Sequence, residues 1–120
     1  MLESEIEKYL KTEVEKAGAL CWKFMSPGNA GVPDRIVLLP DGRTWFIELK
    51  APGKAPRPLQ MKRIRQLQSL KQRVFVIDSK EEVDTLAEMA RFVTESVNYA
   101  EVADIAEQVE KTLQKGKTPK

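Results

Sequence analysis

Three charged residues stand where a protein interior would not choose them: Asp34, Glu48 and Lys50. They lie in a hairpin that runs out along Gly31–Leu39 and back along Thr44–Lys50. Pro40-Asp41-Gly42-Arg43 makes the turn, with Asp-Gly as the hairpin signal. The two runs are rich in Ile, Val, Leu, Trp and Phe and alternate poorly, which predicts central strands covered on both faces. An unpaired buried charge costs several kcal/mol or shifts its pKa, so charges placed here have work to do. Side chains alternate along a strand, which puts Glu48 and Lys50 on one face. A plain two-residue turn sets Asp34 opposite Leu49; a one-residue bulge sets it opposite Glu48. In either register the carboxylates come within a residue of each other at the open end of the hairpin. Opposed Cβ atoms are roughly 4.5–5.5 Å apart, so the two acids repel unless a cation lies between them. A hard divalent ion with oxygen ligands, Mg²⁺ or Mn²⁺, fits that need. The plain alternative is a Lys50–carboxylate ion pair at a strand end.

Composition narrows the chemistry. The 120 residues contain no histidine, which removes Ser-His-Asp triads, Cys-His nucleophiles, His-ligated zinc and any histidine general base. An enzyme built from this chain must run on carboxylates, lysine and a metal. The single cysteine, Cys21, sits in an apolar stretch and is expected to be a buried thiol. No apolar run is long enough to span a membrane and no signal peptide is recognisable, so the expected setting is the cytoplasm.

The elements that must hold the hairpin follow in order. Residues 3–18 form an expected amphipathic helix on Ile6, Tyr9, Leu10, Val14 and Ala17, with Ser4-Glu5-Ile6-Glu7 as a capping box and Gly18 as the stop. Its early acids suit the helix dipole, and one of them can reach the hairpin as a further metal ligand. Residues 19–25 read as a strand. Ser26–Gly31 is a loop of small residues whose glycines would let a phosphate approach just before Asp34. After Lys50 a proline-rich loop leads to a helix from Pro58 to about Lys71. Gln60 falls on its inward stripe with Ile64 and Leu67, and is expected to point into the site. Residues 73–78 are a further buried strand. Ser79 caps a helix over about 80–95, with Val83, Leu86, Ala87, Ala90 and Val93 as its apolar stripe. Asn98 opens a last helix, with Val102, Ile105, Ala106, Val109 and Leu113 as its stripe.

Charge is segregated along the chain. Between Leu49 and Ile77 there is no acid, but there are eight bases: Lys50, Lys54, Arg57, Lys62, Arg63, Arg65, Lys71 and Arg73. Ten of the acids lie from Asp78 onward. The net charge of +2 thus hides a basic working end, suited to phosphate, and an acidic back.

Pro33-Asp34 followed by Glu48-Leu49-Lys50 resembles the PD-(D/E)xK signature of restriction-endonuclease-like nucleases. The longer string, Ser26-Pro27-Gly28, Gly31-Val32-Pro33-Asp34, Glu48-Leu49-Lys50-Ala51-Pro52-Gly53 and Gln60, is similar to the VRR-NUC branch, the virus-type replication-repair nucleases. The resemblance covers roughly residues 3–78. It implies an α/β fold with a restriction-endonuclease-like core: a mixed central sheet flanked by helices, here with an extra C-terminal helix. It implies a Mg²⁺-dependent phosphodiesterase, with Mn²⁺ as a substitute. Asp34, Glu48 and the Leu49 carbonyl would bind the metal, with Glu3, or else Glu5, completing the site. Lys50 would orient or activate water, and Gln60 matches the family glutamine.

Short stand-alone members resemble four-way-junction resolvases that act as dimers. The expected substrate is therefore DNA, structure-selectively branched, cut by a homodimer in a bacterial or phage-infected cell during replication or repair. No organic cofactor and no membrane partner are expected. The expected DNA-facing residues are Lys23, Ser26, Gly28, Asn29, Arg35, Lys54, Arg57, Lys62 and Arg63. The expected organisation is a nuclease core over 1–95, a helix over 96–114 that packs or dimerises, and a disordered tail over 115–120. A non-catalytic DNA-binding module using the basic helix over 57–73 is the alternative function.

Overall fold

A computed structural model describes the backbone of residues 1–97 and 99–116 and the side chains of 1–97 and 103–114. The expected Asn98 cap and residues 117–120 of the tail lie outside the described residues. Eight elements follow in the order α1 (Glu3–Lys16), β1 (Leu20–Lys23), β2 (Arg35–Leu38), β3 (Thr44–Leu49), α2 (Pro58–Ser69), β4 (Arg73–Ile77), α3 (Lys80–Ser96) and α4 (Tyr99–Gly116). The strands form one mixed sheet in the order β1-β2-β3-β4. β1, β2 and β3 pair antiparallel, and β4 joins β3 in parallel. A parallel neighbour needs a crossover, which α2 supplies.

The sheet has two unlike faces. Cys21, Val37, Trp45, Ile47, Leu49 and Ile77 are buried with Ile6, Leu10 and Val14 of α1 and Val83, Leu86, Ala90 and Val93 of α3 in one core. Thr94 ties the two helices together by donating from Oγ1 to the Ala17 carbonyl (2.7 Å). The opposite face carries Trp22, Ile36, Phe46 and Val76 and is covered only in part, by α2. The hairpin strands β2 and β3 lie in the middle of the sheet, as expected, with every residue buried or half-buried; the buried strand expected over 73–78 is corrected, because β4 is an edge strand with only Ile77 buried.

Local chemistry explains where elements start and stop. Ser79 Oγ accepts from the Glu82 amide (3.2 Å) while Glu82 returns a bond to the Asp78 amide (3.0 Å), so the cap of α3 is real. The capping box expected at Ser4 is not formed: α1 begins at Glu3, behind Leu2, with no side-chain cap. Pro58 opens α2, where its missing N–H costs nothing. Ile105, Val109 and Leu113 on α4 are exposed, and among the described residues nothing covers them. Among the described residues no helix is long and apolar enough to cross a membrane.

Candidate metal centre and nucleic-acid face

The turn decides which residues meet. Gly42 N donates to the Leu39 carbonyl (3.1 Å), Leu39 N donates to the Arg43 carbonyl (2.9 Å), and Gly42 takes φ 92°. This is a three-residue loop with a bulged glycine. The strands accordingly pair Arg35 with Ile47, so the next pair outward is Asp34 with Glu48. Of the two registers that the sequence allows, the bulged one is adopted, and both acids project from the α2 face.

α2 completes the cluster from above. Gln60 Nε2 donates to Glu48 Oε1 (3.0 Å), and Lys50 Nζ donates to Gln60 Oε1 (2.7 Å). Gln60 Oε1 also accepts from the Arg57 amide at the start of the helix (2.8 Å). One glutamine thereby caps α2 and locks it to Glu48 of β3 and to Lys50 just beyond it. Lys50 Nζ lies 3.4 Å from Glu48 Oε1. Asp34 is held by the Leu49 amide, which donates to its Oδ1 (3.3 Å), while the Lys50 amide points the other way, to the Ile77 carbonyl (2.9 Å). A strand residue's N–H and C=O face the same edge, so the Leu49 carbonyl is on the Asp34 side.

Electrostatics mark this pair as unfinished. Glu48 is only 3% exposed, and its Oε2 is buried with no hydrogen-bond partner among the described residues. Burial, then the charge of Asp34, pushes the Glu48 acid up to about 7, against the pull of Lys50. Burial likewise raises Asp34, against the Leu49 amide and Arg35. Two carboxylates facing each other, with one oxygen desolvated and unpaired, are what a divalent cation would satisfy.

The helix-1 acids divide. Glu3 is exposed in the first turn, and its charge acts on Glu48. Glu5 is also exposed. Among the described residues no three His, Cys, Asp or Glu side chains come together as a metal cage, so the structure brings together the Asp34–Glu48 pair without a third acid. Glu7, the third of the early acids, forms an ion pair with Arg35, and its charge acts on Asp34.

That pair removes Arg35 from the DNA-facing set. Arg35 is 9% exposed, points to α1, and donates to the Asp34 carbonyl (2.9 Å). The signal was in the alternation: Arg35 shares a face with Val37, which is inward. Lys23, Gly28, Asn29, Lys54, Arg57 and Lys62 are exposed, and Ser26 is half-buried. Arg63 is half-buried and donates from Nε to the Ala30 carbonyl (2.9 Å), which staples α2 to the 26–31 loop. Gly31 lies under that staple with φ 84°, where an added Cβ would meet Leu59 at 2.8 Å. Cys21 is a buried thiol, pushed up to about 11 by that burial.

The mixed sheet, the flanking helices and an acid pair followed by lysine at the mouth of a β-hairpin define a restriction-endonuclease-like core. A solved structure of a VRR-NUC domain matches the chain with a TM-score of 0.67 and 36% identity, over 72% of this chain and 94% of that one. A protein of Acyrthosiphon pisum secondary endosymbiont phage 1, described as "Putative nuclease p44", is 48% identical over 79 residues, 66% of this chain and 85% of the relative. No family model matches the chain. The chain belongs to the VRR-NUC family.

Proposed function

We propose that this protein is a Mg²⁺-dependent DNA endonuclease, with Mn²⁺ as an alternative metal. The observation that carries the proposal is the buried, unpartnered Oε2 of Glu48 facing Asp34 under Gln60 and Lys50. Asp34, Glu48 and the Leu49 carbonyl would hold the ion, with Glu3, whose charge acts on Glu48, as the helix-1 acid to join them. When bound, the ion supplies Lewis acidity and a bound water of lowered pKa.

The chain's own residues do the rest. Lys50, fixed by Gln60, places a positive charge beside the attacking water and the phosphoryl oxygens, where preorganised charge lowers the barrier most. Water oxygen bonds to phosphorus as the bridging P–O bond breaks, and the departing oxygen leaves with a proton. Lys23, Gly28, Asn29, Lys54, Arg57 and Lys62 offer a basic, open surface around the site for the backbone on either side.

Branched DNA, four-way junctions above all, is the proposed substrate, and a homodimer the proposed active form. One domain supplies one site, whereas a two-fold junction needs two symmetric cuts. The exposed stripe Ile105, Val109 and Leu113 on α4 supports pairing with a second copy. The proposed setting is replication and repair in the cytoplasm of a bacterium or phage-infected cell, in keeping with the phage relative.

The second reading, a DNA-binding module without catalysis, draws on the 3.4 Å Lys50–Glu48 contact as a purely structural ion pair. A labelled four-way junction separates the two. Cleavage in Mg²⁺, none in EDTA, and none by Glu48→Ala supports the endonuclease. Binding without cleavage in either metal supports the module.

A further inference from the structure

The sheet face that bears the two carboxylates does not end at them. Phe46 precedes Glu48 by two residues on the same face, about 7 Å along the strand. Phe24 lies across from Asp34, its amide donating to the Asp34 carbonyl (2.9 Å). The two rings meet edge to face, with centroids 5.7 Å apart and planes at 74°. They floor a cavity of about 230 Å³, walled by Val32 and Leu67 and rimmed by Asn29 and Arg63. Phe24, Val32, Phe46 and Leu67 are half-buried, whereas Leu70 at the edge and Asn29 are exposed, so the cavity opens outward. Arg63 is fixed there by its bonds to the Ala30 carbonyl (2.9 Å) and to Gln66 Oε1 (3.0 Å). Nothing in the acid–lysine chemistry uses this pocket.

We propose that the Phe24–Phe46 pocket receives one unpaired nucleobase of the DNA, from the nucleotide beside the scissile phosphate. This deepens the nuclease reading and rests on it for the identity of the polymer. Size agrees: the volume is that of roughly eight waters at about 30 Å³ each, enough for one ring system and too little for a drug-sized ligand. Chemistry agrees: every base has a π-face that aromatic side chains can stack against, and Asn29 offers both a donor and an acceptor to a base edge. Place agrees as well. Phe46 on the pocket floor is about 7 Å along the strand from Glu48, two rises of a nucleic-acid strand at about 3.4 Å each, so a nucleotide within two steps of the scissile phosphate spans the gap. A base in a continuous duplex is stacked and faces inward. Only a base already out of its pair, or one extruded, reaches such a pocket, and extrusion is cheapest where pairing is broken. The pocket therefore selects DNA with a break in pairing at the cut, which is the feature that branch points, flaps and mismatches share.

Binding measured in EDTA tests the pocket without cleavage. A four-way junction and a duplex with one unpaired base are labelled with 2-aminopurine at successive positions, alongside a fully paired duplex. Wild-type protein should brighten the probe at one position of the imperfect DNAs. Leu67→Phe, which fills the pocket, should remove that brightening and weaken binding of the unpaired-base duplex about 10-fold, with the paired duplex bound within about 2-fold. Phe46→Leu, which removes a ring from the pocket floor and keeps an apolar side chain there, should act in the same direction. The pocket proposal is overturned if no position brightens, or if both variants weaken all three DNAs alike. Cleavage of the same junction in Mg²⁺ by wild type is read separately. Brightening without any cleavage would overturn the catalytic reading and leave the pocket standing.

Discussion

Glu48 is the residue on which the chemistry turns. Its folded acid is raised to about 7 from an ordinary 4.5, chiefly by burial and then by Asp34. The folded protein therefore holds a proton that the unfolded chain gives up in that interval, and stability must fall as pH rises from about 4.5 to 7. Metal-free protein should be less stable at pH 8 than at pH 5.5, by on the order of 2 kcal/mol, and Mg²⁺ should flatten the slope. Glu48→Gln should raise the melting temperature at pH 8 while abolishing cleavage, because it removes a desolvated charge that only a cation rewards. A loss of both would make Glu48 a structural ion-pair member. Asp34→Ala and Lys50→Ala should cost at least about 100-fold in cleavage with DNA binding kept, as measured by gel shift beside the cleavage assay. Gln60→Ala should cost roughly 10–100-fold, since it positions groups rather than reacting.

Among the elements, the hairpin, α2 and the loop before Asp34 form one clamp, and much of it was readable in the sequence. The turn residues, Pro58, the Ser79 cap and the apolar stripes of α1 and α3 each match a local rule, and each element stands where that rule puts it. The register was open, because Pro40-Asp41-Gly42 supports two turn geometries that both put Gly42 at positive φ; Asp41, which keeps negative φ, and the Leu39–Arg43 bond decide between them. The inward turn of Arg35 and the exposed edge of β4 were misread for one reason: apolar residues dominate both faces of these strands, so alternation is faint. The Phe24–Phe46 pocket was not visible at all, since it depends on how far α2 stands from the sheet. Gly31→Ala tests the clamp. It asks for a side chain at φ 84° and within 2.8 Å of Leu59, and should destabilise the fold by about 1–3 kcal/mol in urea unfolding. A neutral outcome would mean that the loop shifts freely off α2.

The whole molecule joins a basic face around the site to an acidic C-terminal third. That asymmetry predicts DNA affinity that falls steeply with salt, with a log–log slope of about −0.9 per phosphate neutralised. Lys62→Ala should lower the slope by about one without changing which DNA is preferred. At this scale belongs pairing through α4. Val109→Glu, in the middle of the exposed stripe, should convert a dimer to a monomer by light scattering and turn paired junction cuts into single nicks. An unchanged mass would move the two-fold contact to another surface.

Diffraction from crystals grown with Mn²⁺, collected at an anomalous wavelength, tests the central claim most directly. The account predicts one strong peak between Asp34 and Glu48, at about 2.0–2.3 Å from the Glu48 oxygen that has no protein partner. Ordered protein with that gap empty at saturating metal, or with the peak elsewhere, would contradict it.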